Sequence, residues 1–288
     1  MLLAAQTGDH MDQPVIDVVH LFPGLRAALV DLLDGLAPTD WSRPTACGDW
    51  SVHDIALHLL GADANILGPD RDGYREPVPT GLDLSNWSDL VAFIDRRNAI
   101  WVEATRRLSP RLTRDLLAET GPRVESWFRS VDLLARGNPV NWVGPAPAPV
   151  WVHVAREYTE RWTHQQHIRD AVARPGLMEP EWLHPVLAAF ALALPHTLRD
   201  MTAQPGVTAT LEVTGPTSGT WSVVREADGW RPTADRPSDP VATLRLDQDT
   251  AWRLFTRGIS REDARLRSTI SGDRIIAEAM LGMVSIIA

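Results

Sequence analysis

Apolar residues recur at helical spacing through most of the first 200 residues. The clearest run predicts a helix at residues 25–36, with one apolar face formed by Leu25, Ala28, Leu29, Leu32, Leu33 and Leu36. Similar patterns predict helices at 51–64, 88–108, 122–135, 150–172 and 182–201, the last kinked at Pro195. Ser51 followed by Asp54 is typical of a helix N-terminal cap. Stretches rich in Pro and Gly predict a loop at 68–81 and an irregular segment at 137–149.

Alternation of apolar and polar positions replaces the helical pattern after residue 205. Three runs alternate as half-buried strands do: 207–213, 220–225 and 241–247. They are followed by a predicted helix at 249–257, a strand-like stretch at 264–270 and a terminal helix from Asp273. We therefore predict the α+β class, with an up-down helical bundle at residues 13–204 and a small α+β domain at 205–288.

Composition narrows the class of protein. The chain has 288 residues, of which 44% are hydrophobic, so it can bury a substantial core. A net charge of −9 argues against a nucleic-acid partner, and no apolar run is long enough to span a membrane. The first ten residues lack the features of a signal peptide, which predicts a cytoplasmic protein. A single cysteine excludes a disulfide framework and a cysteine-based zinc finger. We expect a small-molecule substrate and a monomer or homodimer.

The predicted helix 150–172 carries histidines and glutamates on one side. At about 100° per residue, a stripe about 80° wide contains His153, Glu157, Glu160, His164 and His167. The stripe adjoins an apolar face, so its side chains are expected to be partly buried and to need partners, and a metal ion is an efficient one. The other interpretation is a solvated polar face, since Glu-x-x-x-His by itself is a weak metal pattern.

The predicted helix 51–64 carries two further histidines. His53 and His58 are rotated from each other by about 140°, so they cannot face one site. His53 lies in the first turn and is expected to be exposed, whereas His58 is surrounded in sequence by leucines. A single histidine on an apolar helix is usually a hydrogen-bonded core residue. With the stripe of helix 150–172 in the same bundle, His58 becomes a candidate metal ligand.

Two segments carry a family resemblance. The run Asp40-Trp41-Ser42-Arg43-Pro44-Thr45, with the later Asp49-Trp50-Ser51-Val52 and His58, resembles the opening of the mycothiol-dependent maleylpyruvate isomerase family. The run from Arg156 to Asp170 is similar to the second signature of that family. The resemblance implies a DinB-like metal-binding helical bundle. The C-terminal part is similar to the small sterol-carrier-like domain that often follows it.

The resemblance also implies cofactors. It implies a divalent metal, usually zinc, held by His58, Glu160 and His164, with a fourth position left for water or substrate. It further implies mycothiol, whose thiol would lose its proton in that position. His167 stands where many relatives carry Asp. We expect it to be a further ligand, a hydrogen-bonding partner of a ligand, or a catalytic acid or base.

Together these features predict a metal-dependent, mycothiol-using enzyme that acts on a small molecule by cis–trans isomerisation or thiol transfer. An arginine of the C-terminal domain would bind a substrate carboxylate through two parallel hydrogen bonds. Arg225, Arg253 and Arg257 are candidates, and we favour Arg257 because it precedes Gly258 at the end of a predicted helix. The alternatives are a non-enzymatic binding protein with a structural metal, and an enzyme that uses metal-activated water without a thiol.

Overall fold

The structure, a computed structural model, describes residues 15–75, 77 and 86–285. They form two compact units. The bundle unit comprises Val18–Val131 and Glu160–Leu177, and the sheet unit comprises the described residues 15–17, 132–159 and 178–285. The predicted α+β class is confirmed. The units are defined by spatial contacts, so the proposed sequence boundary near residue 205 stays a prediction.

The bundle unit is built from amphipathic helices. They are α1 (Phe22–Asp34), α2 (Val52–Asn65), α3 (Trp87–Thr105), α4 (Pro110–Ser130) and the second half of α5 (Val150–Ala171). Helix α4 packs against α1 and α2, and α3 packs against α2. The apolar face predicted for α1 is buried as expected and joins a core that includes Leu29, Leu32, Leu33, Ile55, Ala56, Leu59, Leu117 and Ile168.

Helix α4 begins much earlier than its pattern predicted. The prediction placed it at 122–135, but it runs from Pro110 to Ser130 with Pro122 inside. Its true start is marked by Ser109, whose hydroxyl accepts the Leu112 N–H, and by Pro110 in the first turn, where no intrahelical donor is lost. Pro122 was mistaken for a helix start because proline also favours the first turn.

Helix α2 is fixed at its N-terminus by a capping box. The Ser51 hydroxyl accepts the Asp54 N–H, while the Asp54 carboxylate accepts the Ser51 N–H at 3.0 Å. The carboxylate also accepts two hydrogen bonds from Arg106, which directly follows α3. Arg106 and the Ser51 bonds outweigh burial, which alone would raise the pKa of Asp54, and hold that pKa below its usual value. The start of the helix that carries His58 is therefore well defined.

We expect Ser51→Ala to lower the free energy of unfolding by about 1 kcal/mol, because it leaves an N-terminal donor of α2 without its acceptor. Urea denaturation measures the change. Ser130→Ala is the matched control, since that exposed hydroxyl bonds only the Trp127 carbonyl at the end of α4. Equal effects of the two substitutions would contradict a capping role for Ser51.

The sheet unit contains a five-stranded sheet formed by β3 (Thr208–Thr214), β4 (Gly219–Arg225), β5 (Trp230–Thr233), β6 (Ala242–Asp247) and β7 (Thr269–Gly272). Their order across the sheet is β5-β4-β3-β6-β7. Strands β3 and β6 pair in parallel and the other neighbours pair antiparallel. The unit also holds α6 (Pro180–Ala191), α7 (Leu194–Thr197), α8 (Gln248–Phe255), α9 (Arg261–Leu266) and α10 (Arg274–Met280).

Short elements account for most of the differences from the predicted C-terminal pattern. The predicted strand at 264–270 is instead helix α9, capped by Ser260, followed by strand β7. Strand β5 was missed because it contains Pro232, which suits an edge strand but breaks the strand pattern. The predicted helix 182–201 is two helices, separated by a tighter turn at residues 192–193, where the Leu192 and Ala193 N–H groups donate to carbonyls three residues back.

Two predicted irregular segments are also resolved into structure. The stretch 137–149 contains a two-stranded antiparallel ladder formed by β1 (Arg136–Pro139) and β2 (Pro147–Pro149). The predicted loop 68–81 begins within a π-helical turn, Ile66–Arg71, and its residues 76 and 78–81 lie outside the described residues. Among the described helices, none is both long and apolar enough to cross a membrane.

Candidate metal centre

Two of the predicted histidines of the bundle unit converge on one carboxylate oxygen of the predicted glutamate. The Nε2 atom of His58 lies 2.9 Å from Oε1 of Glu160, and the Nε2 atom of His164 lies 3.1 Å from the same oxygen. The two imidazole rings meet edge to face, 4.6 Å between centroids. Since the three donor atoms lie within 4.8 Å of one another, they form a group that can hold a metal ion.

Helix geometry explains the convergence. Glu160 and His164 are four residues apart on α5 and therefore lie one turn above each other on the same face. His58 is on α2 within a stretch where nearly every side chain is buried, and it is 6% exposed. Trp50, in the loop before α2, packs against its ring at 5.1 Å between centroids. Within these surroundings, Nε2 of His58 is directed to Glu160.

The electrostatics of this group follow from its burial and its pairing. Burial alone would raise the pKa of Glu160, but the charges and hydrogen bonds of His164 and His58 hold it well below its usual value. Burial alone would lower the pKa of His164, but the charge of Glu160 and the bonds with Cys47 and Glu160 raise it to about 10. In the absence of metal, His164 is therefore a charged imidazolium at neutral pH.

His167 lies one turn beyond His164 and is 2% exposed. The two rings are 5.4 Å apart between centroids, so the structure brings His167 close to His164, as the phase of the stripe predicted. Its Nδ1 atom is 2.9 Å from the sulfur of Cys47. The role of His167 as a ligand, or as an acid or base, stays a prediction.

Cys47 belongs to this cluster, although the sequence analysis assigned it no role. Its sulfur lies 3.8 Å from Nδ1 of His164 in addition to its short contact with His167. The loop that carries Cys47 is closed by the Thr45 hydroxyl, which accepts the Cys47 N–H, and by the Trp50 N–H, which donates to the Cys47 carbonyl. A single cysteine in a loop has no spacing pattern, so only its position just before the α2 cap hinted at this placement.

The remaining histidines and glutamate of the predicted set lie elsewhere. His53 is half-buried, not exposed as predicted, because its ring packs on Trp41 and its Nε2 lies 3.3 Å from the Thr113 hydroxyl. In the sheet unit, Arg156 lies within hydrogen-bond distance of both His153 and Glu157. In the described part of the chain, the side chains of His53, His153 and Glu157 join no group with metal-binding geometry.

The predicted substrate arginines are all in the sheet unit. Arg257 is exposed and follows α8 with a positive φ of 61°. Arg253 is paired with Asp249 at 3.0 Å and lies over the ring of Trp252. Helix α8 ends at Phe255, two residues before the predicted end. The binding of a substrate carboxylate by Arg257 stays a prediction.

A buried ion-pair cluster supports the candidate centre. Asp63 of α2 has no solvent-exposed surface, and its carboxylate pairs with Arg26 of α1 at 2.7 Å and Arg161 of α5 at 3.0 Å. It also accepts a hydrogen bond from the Thr120 hydroxyl of α4. Burial alone would raise the pKa of Asp63, but the two guanidinium groups hold it below its usual value. The cluster ties α2 to α5 within the bundle unit.

A cavity of about 500 Å³ lies in the sheet unit. His184, Glu212, Trp221 and Arg236 are among its lining residues, most of which are polar. It contains none of the residues of the candidate centre, and its mostly polar lining does not favour an apolar ligand.

These features define a helical-bundle protein with a buried His-Glu-His group between two of its helices. The family model described as the mycothiol maleylpyruvate isomerase N-terminal domain matches residues 22–169. The chain belongs to this family, which confirms the resemblance found in the sequence.

Two solved structures share the fold. One is a His→Ala mutant of the mycothiol-dependent maleylpyruvate isomerase, with 12% identity, a TM-score of 0.54, and coverage of 92% of this chain and 96% of that chain. The other is a structure of the mycothiol-dependent maleylpyruvate isomerase, with 12% identity, a TM-score of 0.50, and coverage of 86% of this chain and 91% of that chain. At this identity they show a common fold alone. A search of curated proteins gives no significant match.

Proposed function

We propose that the chain is a metal-dependent enzyme that uses a thiol of the mycothiol type to isomerise a small unsaturated substrate. The observation that carries the proposal is the convergence of His58 and His164 on Glu160 in a chain of this family. Isomerisation is favoured over thiol transfer because the family and both structural neighbours are named as isomerases.

The donor set fits a zinc ion. Two imidazole nitrogens and one carboxylate oxygen form the His₂Glu set of catalytic zinc sites, which leaves the fourth position open. Neighbouring ligand atoms in a tetrahedral zinc site lie about 3.4 Å apart, close to the 2.9 and 3.1 Å found here. A zinc ion bound there would lower the pKa of a thiol that enters the open position and would supply a nucleophile at neutral pH.

The side chains around the centre would orient the two imidazole ligands and surround them. Glu160 holds both imidazole rings through one oxygen, and Trp50 packs against the ring of His58. Besides Glu160, the polar groups His167 and Cys47 also lie next to His164. In the reaction, the thiolate sulfur would add to one carbon of the double bond while the π electron pair moves onto a conjugated carbonyl group of the substrate as an enolate. The resulting single bond would rotate, and the electron pair would return to re-form the double bond as the same C–S bond breaks and the thiolate leaves.

Calorimetry and an isomerase assay test this function together. With zinc-loaded protein we expect mycothiol to bind and maleylpyruvate to be isomerised only when mycothiol is present. Zinc-stripped protein should do neither. Isomerisation without thiol, or the absence of mycothiol binding to the loaded protein, would contradict the proposal and favour metal-activated water or a binding protein.

Zinc binding should release protons and tighten with pH. His164 has a pKa of about 10 without metal, and a zinc ligand must be a neutral imidazole, so one proton leaves this ring at pH 7.5. The release of this one proton is expected to raise the zinc affinity about tenfold for each pH unit up to about pH 10. Calorimetry in buffers of different ionisation enthalpy counts the protons, and zero release at pH 7.5 would contradict the prediction.

The same raised pKa sets the pH dependence of stability in metal-free protein. The charged ring is favoured in the folded state, so its contribution is fully present below the unfolded pKa of 6.5. It is lost as the pH rises through the folded pKa of about 10. A urea series between pH 6 and pH 10 on stripped protein measures this loss.

A further inference from the structure

The sulfur of Cys47 and two imidazole nitrogens form a second group beside the first. The sulfur lies 2.9 Å from Nδ1 of His167 and 3.8 Å from Nδ1 of His164, and the three atoms lie within 4.8 Å of one another. His164 and His167 are 3% and 2% exposed, and Cys47 is half-buried.

The ring of His164 separates the two groups. Its Nε2 atom faces Glu160, at 3.1 Å, whereas its Nδ1 atom faces the sulfur of Cys47. The two nitrogens point out of different edges of the imidazole, so an ion held at Nδ1 occupies a different place from an ion held at Nε2. The sulfur group is therefore a distinct position that shares His164 with the first, and a neutral His164 imidazole, which has one unprotonated nitrogen, serves one of the two positions at a time.

Local structure holds the three donors in place. His164 and His167 are three residues apart on α5, so their rings lie on neighbouring turns of one face. Cys47 is set by the turn from Thr45 to Trp50, in which Gly48 has a positive φ of 55°. This turn ends at the capping box of α2, so the cysteine is attached to the same helix that carries His58.

The distances fit a thiophilic metal. In a tetrahedral zinc site, with sulfur at about 2.3 Å and nitrogen at about 2.0 Å from the ion, sulfur and nitrogen lie about 3.5 Å apart. The observed 2.9 and 3.8 Å lie on either side of that separation. Thiolate with imidazole selects zinc or copper(I) over magnesium and calcium, which prefer oxygen ligands.

We propose that Cys47, His164 and His167 form a second metal position of the thiolate–imidazole type, which takes zinc or another thiophilic ion. Its ligands are Sγ of Cys47 and the Nδ1 atoms of the two histidines. It adjoins the centre of the proposed function through His164. It does not require that function, because neither His58 nor Glu160 is among its ligands.

Cobalt(II) binding to the full chain carrying Glu160→Gln tests the second position separately from the first. The substitution removes the carboxylate of the first group and retains all three ligands of the second. We expect one cobalt ion per chain and a thiolate-to-cobalt charge-transfer band in the near ultraviolet. Because Cys47 is the sole cysteine, such a band has no other source in the chain.

Adding Cys47→Ser to Glu160→Gln is the matched comparison. We expect the band to disappear and the cobalt affinity to fall by at least about 100-fold, more than loss of a hydrogen-bonding partner would cost, while circular dichroism verifies the fold. Adding His167→Gln instead should also weaken binding by at least about 100-fold, but should retain a weaker band at high cobalt. If folded Glu160→Gln protein gives no band, the second position does not exist. Failure of the proposed function is a separate result, namely no metal on Cys47→Ser protein with the first group intact.

Discussion

Zinc affinity is expected to fall by at least about 100-fold when His58 or Glu160 is replaced by alanine in protein that already carries Cys47→Ser. Loss of a ligand costs more than loss of a hydrogen-bonding partner, which is worth 10- to 100-fold. The Cys47→Ser background removes the sulfur position, so the measurement reports on the His58–Glu160–His164 group alone. His164→Ala is expected to abolish binding in any background, because His164 belongs to both groups. Competition with a chromophoric chelator measures the affinities.

His53→Ala is the control for this series. It also removes an imidazole from α2, but that ring contacts Thr113 and Trp41 and lies in neither group. Zinc affinity should be unchanged. Full zinc occupancy in all three ligand variants, in the Cys47→Ser background, would show that the assignment of His58, Glu160 and His164 is wrong.

Asp63→Ala is expected to lower the free energy of unfolding of the bundle unit by about 3–5 kcal/mol. The substitution leaves Arg26 and Arg161, whose side chains are 10% and 5% exposed, without their shared carboxylate. A buried charge that loses its partner retains the cost of desolvation and loses the attraction that offset it. Urea denaturation measured by circular dichroism gives the change, and zinc binding should weaken as α2 and α5 lose their connection.

Asp34→Ala is the matched control, since it also removes an aspartate that pairs with an arginine at 3.0 Å. The Asp34 side chain is 51% exposed, so the pair is worth less than about 1 kcal/mol. Similar losses for the two substitutions would mean that burial does not set the strength of the Asp63 cluster.

The spacing of residues on α5 was enough to predict which side chains share a face. Glu160, His164 and His167 lie together because four and three residues make about one turn. His58 could be placed in the interior because leucines surround it in sequence. Cys47 could not be found in this way, since loop closure by Thr45 and Trp50 sets its position and leaves no periodic pattern.

Long amphipathic elements were predicted more accurately than short ones, with the exception of α4, whose start at Pro110 was placed at Pro122. The burial pattern of α1 and the cap of α2 agree with the structure because many positions, or a defined pair such as Ser51 and Asp54, specify each. Helix α9 and strand β5 have only six and four residues, so a single proline or capping serine decides their conformation. The paired strands around 137–149 depend on each other, and neither is specified by its own sequence.

The buried Asp63 cluster has a consequence for how this sequence can diverge. Changing Asp63 alone leaves the two buried guanidinium groups without their shared carboxylate, and changing Arg26 or Arg161 alone removes one of the two ion pairs of the buried carboxylate, although an entirely apolar replacement of all three is compatible with a stable core. Every path to that replacement passes through a destabilised intermediate, because the three positions are energetically coupled. We therefore expect the three residues to be inherited together, so that homologues keep all three charges or have apolar residues at all three positions. Chimaeras that combine α1, α2 and α5 from a charged and an apolar homologue should fold poorly.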